Sequence, residues 1–187
     1  MESLIKEKIK KVKKGDQAAF EGIVSFYQHK IFQHCYRMLG NRHEAEDIAQ
    51  EAFIRAFVNI HSFDVNRKFS TWLYRIATNL TIDRIRKRKP DYYLDAEITG
   101  TEGLNMYSQL AADNRLPDEE AESMELQQYI HREIASLPTK YRGIIILRYL
   151  EDFSLKEISE IMDIPLGTVK TRIHRGREAL RKKLRHV

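Results

Sequence analysis

The segment SLKEISEIMDIPLGTVKTRIHRGREALRKKL, from Ser154 to Leu184, limits what this chain can fold into more than any other stretch. Ser154 and Glu157 stand in the S-x-x-E spacing of a capping box, in which each side chain satisfies the other residue's backbone N–H. They open a short helix whose apolar residues are Leu155, Ile158, Ile161 and Met162. The turn DIPLG follows, and Pro165 suits the first turn of the next helix, where its missing N–H costs nothing. With about 100° per residue, Val169, Ile173, Gly176 and Leu180 gather on one side of that helix. Lys170, Thr171, His174 and Arg175 lie opposite, with Arg172 and Arg177 on the flanks. Gly176 falls on the apolar side, where the lack of a Cβ lets another helix come close. A capped short helix, a Pro-bearing turn and a basic amphipathic helix in this order predict a helix-turn-helix. Such a motif lays its second helix in the major groove of DNA and takes phosphates from the flanks. The candidate DNA contacts are Thr168, Lys170, Thr171, Arg172, His174, Arg175 and Arg177. Arg175 has the fork geometry to read a guanine edge, and Thr171 suits a positioning or methyl contact. His174 is either a reader or a bystander. The competing reading is an ordinary surface helix with a solvated basic face.

The rest of the chain also carries helical periodicity. After Asp16, a plausible N-cap, Phe20, Ile23, Val24, Tyr27, Ile31, Cys35, Met38 and Leu39 recur at spacings of three and four, predicting one helix that ends near Gly40. A second helix is expected over 44–58. The connection NIHSFDVNRKFS leads to a third over 70–88, stopped by Pro90. Residues 91–122 lose the period and carry Gly100, Gly103 and Pro117. Beyond them SMELQQYIHREIASLP and TKYRGIIILRYL rebuild helices. No strand-period pattern and no internal repeat is present. The expected fold is all-α: two small helical domains, 1–90 and 123–187, joined by a linker over 91–122.

Charge follows the same division. Residues 1–90 hold 18 Lys and Arg against 10 Asp and Glu, residues 91–122 hold 1 against 9, and residues 123–187 hold 13 against 8. Two basic blocks flanking an acidic strip fit a polyanionic partner, since neutralised phosphates release counterions. The lone Cys35 has no intramolecular partner, and the seven His are scattered without metal-ligand spacing. No apolar run approaches the roughly 20 residues of a membrane span, and the N-terminus lacks the apolar core of a signal peptide. A cytosolic protein without direct membrane insertion is expected. No nucleophile with its base, phosphate-cradling Gly-rich loop or metal cluster is evident, so neither enzymatic activity, cofactor, metal nor small-molecule substrate is expected.

Three strings narrow this further. EAEDIAQEAFIRAF, FSTWLYRIATNLTIDRIRKRK and PLGTVKTRIHRGREALR, in this order, resemble the extracytoplasmic-function (ECF) sigma factors of the sigma-70 family. The chain is most similar to their sigma-W group in Bacillus-type bacteria. The resemblance implies a region 2 domain at 1–90 and a region 4 domain at 123–187. The first string would dock on the clamp helices of the largest subunit of core RNA polymerase through Asp47, Gln50, Glu51 and Ile54, which share a face. A solvated face, or a metal site of Glu44, Glu46, Asp47 and Glu51, competes with this; no His joins those acids. The loop and third helix would read and melt the minus-10 element through Asn59, Ser62, Phe63, Lys68, Trp72, Arg75, Asn79, Asp83 and Arg84, with a non-template base flipped into a pocket on the loop. Flipping costs a few kcal/mol of stacking and pairing, which contacts to the base must replace. Trp72, Leu73, Tyr74 and Ile76 also suit a core stripe, and Phe63 and Trp72 fit the core as well as DNA. Arg84, Arg86, Lys87, Arg88 and Lys89 suit general phosphate attraction.

The helix-turn-helix would read the minus-35 element. The acidic linker would thread through the polymerase, although solvation alone also explains its charge. A membrane-bound anti-sigma factor would sequester both domains and hold the inactive protein at the membrane, releasing it for a stress response. The rival reading is a stand-alone helix-turn-helix regulator, against which the first 90 residues show neither a ligand pocket nor a dimerisation coil.

Overall fold

Apolar residues spaced four and three apart make the N-terminal segment a one-sided helix, α1 (Glu2–Lys13), which buries Ile5, Ile9 and Val12 against the next helix. In this computed structural model, residues 2–88 and 118–184 are described, without the side chains of 118–125. Helix α2 (Ala18–Leu39) begins where Asp16 Oδ1 accepts the Ala19 N–H at 3.2 Å. It ends at Gly40, whose φ of 67° lets its N–H donate to the Tyr36 carbonyl at 2.8 Å. That left-handed conformation favours glycine. The Gly40 end is the one the sequence signals predict, whereas Gln17, one residue after the expected Asp16, stands at the N-cap position and makes no side-chain capping bond.

Helix α3 (Arg42–Asn59) is capped by the Asn41 side chain, which accepts the Glu44 N–H at 3.0 Å. A 3-10 turn (Ile60–Ser62) and a short loop lead to α4 (Phe69–Arg88). Helices α2, α3 and α4 pack on one another around Ile31, Cys35, Ala45, Ala52, Leu73 and Ala77. Ala45, Ala49, Ala52 and Ala56, buried on α3 beside Ile48 and Phe53, let its backbone approach its neighbours.

The second unit starts with α5 (Asp118–Ala135), so this helix begins five residues before the expected boundary at 122/123. The remainder of the expected linker, 91–117, lies outside the described residues. Helix α6 (Thr139–Ile145) is continued by a π-helical turn (Ile146–Leu150), and α7 (Leu155–Met162) and α8 (Leu166–Leu184) complete the unit. The capping box forms as expected: Glu157 N–H donates to Ser154 Oγ at 3.3 Å, and Ser154 N–H donates to Glu157 Oε2 at 2.9 Å. The turn after α7 is closed by Asp163 in the left-handed conformation (φ 54°). Pro165 accepts the Val169 N–H at 3.1 Å and so stands at the entry of α8. A Cβ built on Gly176 would lie 3.0 Å from Ile145 Cγ1, which is why α8 can cross α6 so closely.

The two units pack against each other, chiefly α7 on α4. Glu151 sits at their junction. Arg37 Nη1 donates to its Oε1 at 2.6 Å and the Tyr74 hydroxyl to its Oε2 at 2.8 Å. Burial raises the Glu151 carboxyl above the usual range, outweighing the opposing pull of Tyr74 and Arg37. The Tyr74 ring meets Phe153 edge-on at 4.8 Å, and Arg142 Nη1 donates to the Met38 carbonyl at 2.6 Å. Among the described residues there is no strand, and no helix is long and apolar enough to cross a membrane.

Candidate nucleic-acid interface

On α8 the two faces separate as the helical period requires. Val169, Ile173 and Gly176 are buried, whereas Lys170, Thr171, His174, Arg175 and Arg177 are exposed, with Thr168 and Arg172 half-buried on the shoulders. The Thr171 hydroxyl donates back to the Gly167 carbonyl at 3.0 Å. Its methyl group therefore keeps a free side while its donor is engaged. None of Lys170, Arg172, Arg175 and Arg177 pairs with another described residue. Among the described residues no carboxylate compensates these charges, and phosphate contacts need cations of that kind.

On the outer face of α3, Asp47 and Gln50 are exposed and Glu51 is half-buried beside Ile54, which is 58% exposed. One turn further Val58 is 69% exposed, extending this face with a second apolar side chain that the sequence reading missed. Its i+4 spacing from Ile54 was the available signal. The Glu51 carboxylate accepts from Arg55 Nε at 2.7 Å, and Glu46 accepts from Arg42 Nε at 2.9 Å. Glu44 turns the other way, to Arg84 and Arg88. Three of the four acids weighed as a metal site thus have arginine partners of their own, Asp47 stays exposed, and among the described residues no group of three metal-ligating side chains assembles.

The loop between α3 and α4 has an aromatic floor. Phe63 is buried with its ring 4.9 Å from that of Trp72 and 5.5 Å from that of Phe69. Trp72 is half-buried and keeps an outer edge. Above this floor the polar side chains organise the backbone. Asn59 Nδ2 donates to the Arg55 carbonyl and the Ser62 hydroxyl to the Asn59 carbonyl, each at 2.8 Å. On α4, Asn79 is exposed, Asp83 is exposed and pairs with Arg86 at 3.0 Å, and Arg84 reaches Glu44 at 3.7 Å.

Two of the expected DNA contacts meet the C-terminal unit in this arrangement. Lys68 Nζ pairs with Glu157 at 2.8 Å and Arg75 with Asp163 at 3.1 Å. The Glu157 carboxyl is pulled up by burial, but hydrogen bonds from Lys68 and Ser154 outweigh this and hold it below its usual range. These pairs connect residues 89 and 88 positions apart, which no local pattern signals. Beneath the site, His34 is fully buried, with Nε2 2.9 Å from the Thr78 hydroxyl. Burial, helped by nearby Arg37, lowers its imidazole to about 3, so this histidine is a neutral core residue.

Residues 23–90 match Sigma-70 region 2 and residues 127–180 match Sigma-70, region 4. The chain is 70% identical over 187 residues to the ECF RNA polymerase sigma factor SigW of Bacillus subtilis (strain 168), covering 100% of each. It is 38% identical over 180 residues to the ECF RNA polymerase sigma-E factor of Escherichia coli (strain K12), covering 94% of this chain and 92% of that one. Its fold resembles that of CnrH in complex with the cytosolic domain of CnrY, with a TM-score of 0.69 at 21% identity and 98% of each chain covered. The sigma factor RpoE of Bartonella quintana, in complex with the anti-sigma factor NepR, gives a TM-score of 0.64 at 20% identity, covering 89% of this chain and 96% of that one. A basic helix-turn-helix, a second helical unit with an aromatic-floored loop, and full-length identity to a curated relative converge: the chain belongs to the ECF sigma factors of the sigma-70 family.

Proposed function

We propose that this sigma factor divides its work among three surfaces, with residues 1–90 and 123–187 acting as separate functional units around a connecting 91–122 segment. The outer face of α3, with Asp47, Gln50, Glu51 and Ile54, docks on the clamp helices of the largest polymerase subunit. Its exposed Ile54 and Val58 supply apolar area at the centre of a carboxylate-bearing face, which suits a basic, partly apolar partner. The 59–68 loop and the outer edge of α4 read and open the minus-10 element through Asn59, Ser62, Lys68, Trp72, Arg75, Asn79, Asp83 and Arg84, with Phe63 underneath. The exposed side of α8 reads the minus-35 element through Thr168, Lys170, Thr171, Arg172, His174, Arg175 and Arg177. DNA bound by Lys68 and Arg75 replaces Glu157 and Asp163 as their anionic partner.

The polymerase performs the chemistry, and this chain supplies position and strand-opening contacts. The protein acts in the cytoplasm. A membrane-bound anti-sigma factor with a cytosolic domain fits as its inhibitor and would release it under stress, as CnrH is seen with the cytosolic domain of CnrY. The observation that carries this reading is the basic face of α8, unpaired among the described residues, opposite buried Val169, Ile173 and Gly176. Reconstituted transcription with core polymerase on a promoter library tests it. Initiation confined to templates sharing two spaced elements is expected. Tight specific DNA binding by the chain alone, with no stimulation of core enzyme, would favour a stand-alone regulator instead.

A further inference from the structure

We infer that Lys13, at the end of α1, is a positioning residue for base selection in the minus-10 element. The inference rests on the reading above that the 59–68 loop contacts that element. Lys13 Nζ donates to the His61 carbonyl at 3.1 Å and to the Phe63 carbonyl at 2.5 Å, bridging 48 and 50 residues of chain. An ammonium has three donors and no acceptor, so it can hold two carbonyls at once. These carbonyls flank Ser62, and His61 and Ser62 are the exposed residues between two buried anchors, Ile60 and Phe63. The anchors fix the depth of the loop, and Lys13 fixes the direction in which its peptide planes face.

The brace is itself held rigidly. Val12, the residue before Lys13, is buried with Ile5 and Ile9 against α2, and α1 also contacts the 3-10 turn. Helix α1 thus reaches the loop from outside the 23–90 segment that matches Sigma-70 region 2. A loop that must receive an unstacked base discriminates only when its donors and acceptors are held in place before the base arrives. Freedom in the loop lets it adjust to a wrong base at little cost. Removing the ammonium therefore lowers selectivity at the loop-read position without removing a contact to DNA.

The test is initiation by reconstituted holoenzyme carrying wild-type chain, Lys13→Met or Lys13→Arg, on promoters substituted singly through both elements. Lys13→Met keeps the aliphatic stem and loses every donor, and Lys13→Arg keeps donors. The expected result is an about three- to tenfold drop in discrimination at a minus-10 position for Lys13→Met, the loss of one or two charge-assisted bonds shared between right and wrong bases. Minus-35 discrimination, core affinity and the thermal midpoint should stay at wild-type values, and Lys13→Arg should recover most of the loss. Faster amide hydrogen exchange at residues 61–63 in Lys13→Met, unchanged elsewhere, is the matching physical signature. Wild-type discrimination in Lys13→Met overturns the inference. So does an equal loss at every promoter position with a shallower salt dependence, which marks a direct phosphate contact, or a lowered thermal midpoint, which marks a scaffold role. A wild-type protein indifferent to the minus-10 bases refutes the loop assignment itself.

Discussion

Truncating Arg175 to alanine is the sharpest test of the proposed minus-35 surface. Arg175 is exposed on α8 and pairs with no other described residue, so its removal leaves no buried group unsatisfied. Surface changes of that kind alter stability by no more than about 0.5 kcal/mol. Any large effect must then come from DNA. A guanidinium donating two parallel bonds to a guanine is worth about 1 to 3 kcal/mol of discrimination, or about 5- to 150-fold. The assay is competitive initiation by holoenzyme on templates with each minus-35 base replaced in turn. Arg175→Ala should flatten the preference at one base pair within that range and leave its neighbours and the minus-10 element unchanged. Lys170→Ala, removing a point charge beside it, should weaken all sequences alike and reduce the salt slope by about one. An Arg175→Ala protein with wild-type base preferences, or a uniform loss like that of Lys170→Ala, would refute direct readout by this side chain.

Asp47→Lys with Glu51→Lys should abolish co-elution with core polymerase while circular dichroism stays unchanged, because the carboxylates are solvent-facing and the exposed Glu51–Arg55 pair contributes at most about 1 kcal/mol. Asn79→Ala should reduce permanganate-detected strand opening more than duplex binding, and a preformed bubble should restore initiation; equal loss of both would place Asn79 in general affinity. Gly176→Leu forces a side chain into the 3.0 Å gap to Ile145, and urea unfolding should show a loss of about 1 to 3 kcal/mol. His34, lowered by burial from 6.5 to about 3, binds its proton better in the unfolded chain. Its contribution is complete above pH 6.5 and is lost as pH falls from 6.5 toward 3, reaching about 2 kcal/mol at pH 5. The difference in unfolding free energy between wild type and His34→Gln, followed from pH 8 to pH 5, should carry that slope; parallel curves would show that His34 is not a buried neutral group.

Much of the local structure was legible in residue order. Gly40 and the Ser154–Glu157 pair mark helix ends because capping is decided within three or four residues, and both caps form, while Asp16 lies one residue before the Gln17 N-cap of α2. Gly176 was legible for a similar reason: a residue without Cβ on the apolar side of a basic helix implies a close neighbour, and Ile145 is there. The turn residue Asp163 was not, since an aspartate in the left-handed conformation carries no signal as strong as glycine's. Val58 was within reach, four residues beyond Ile54, but an exposed valine looks like a core valine until the neighbouring helices are placed.

What residue order determined by itself was the all-helical class, the basic recognition helix with its two faces, and the family, because all three rest on periodicity and contiguous strings. Tertiary structure alone decided which neighbours the side chains of those faces meet. Phe63 and Trp72 suited core and DNA equally by spacing, and only the placement of Phe69 showed Phe63 turned inward and Trp72 left with an outer edge. Arg37 and Tyr74 meet Glu151 across 114 and 77 residues, Lys68 meets Glu157 across 89, and Lys13 meets Phe63 across 50. The physical reason is that a helical period fixes which side of a helix avoids water, whereas the partner of an exposed charge depends on how whole helices dock. That docking is set by the summed packing of residues far apart in the chain, which no short pattern encodes.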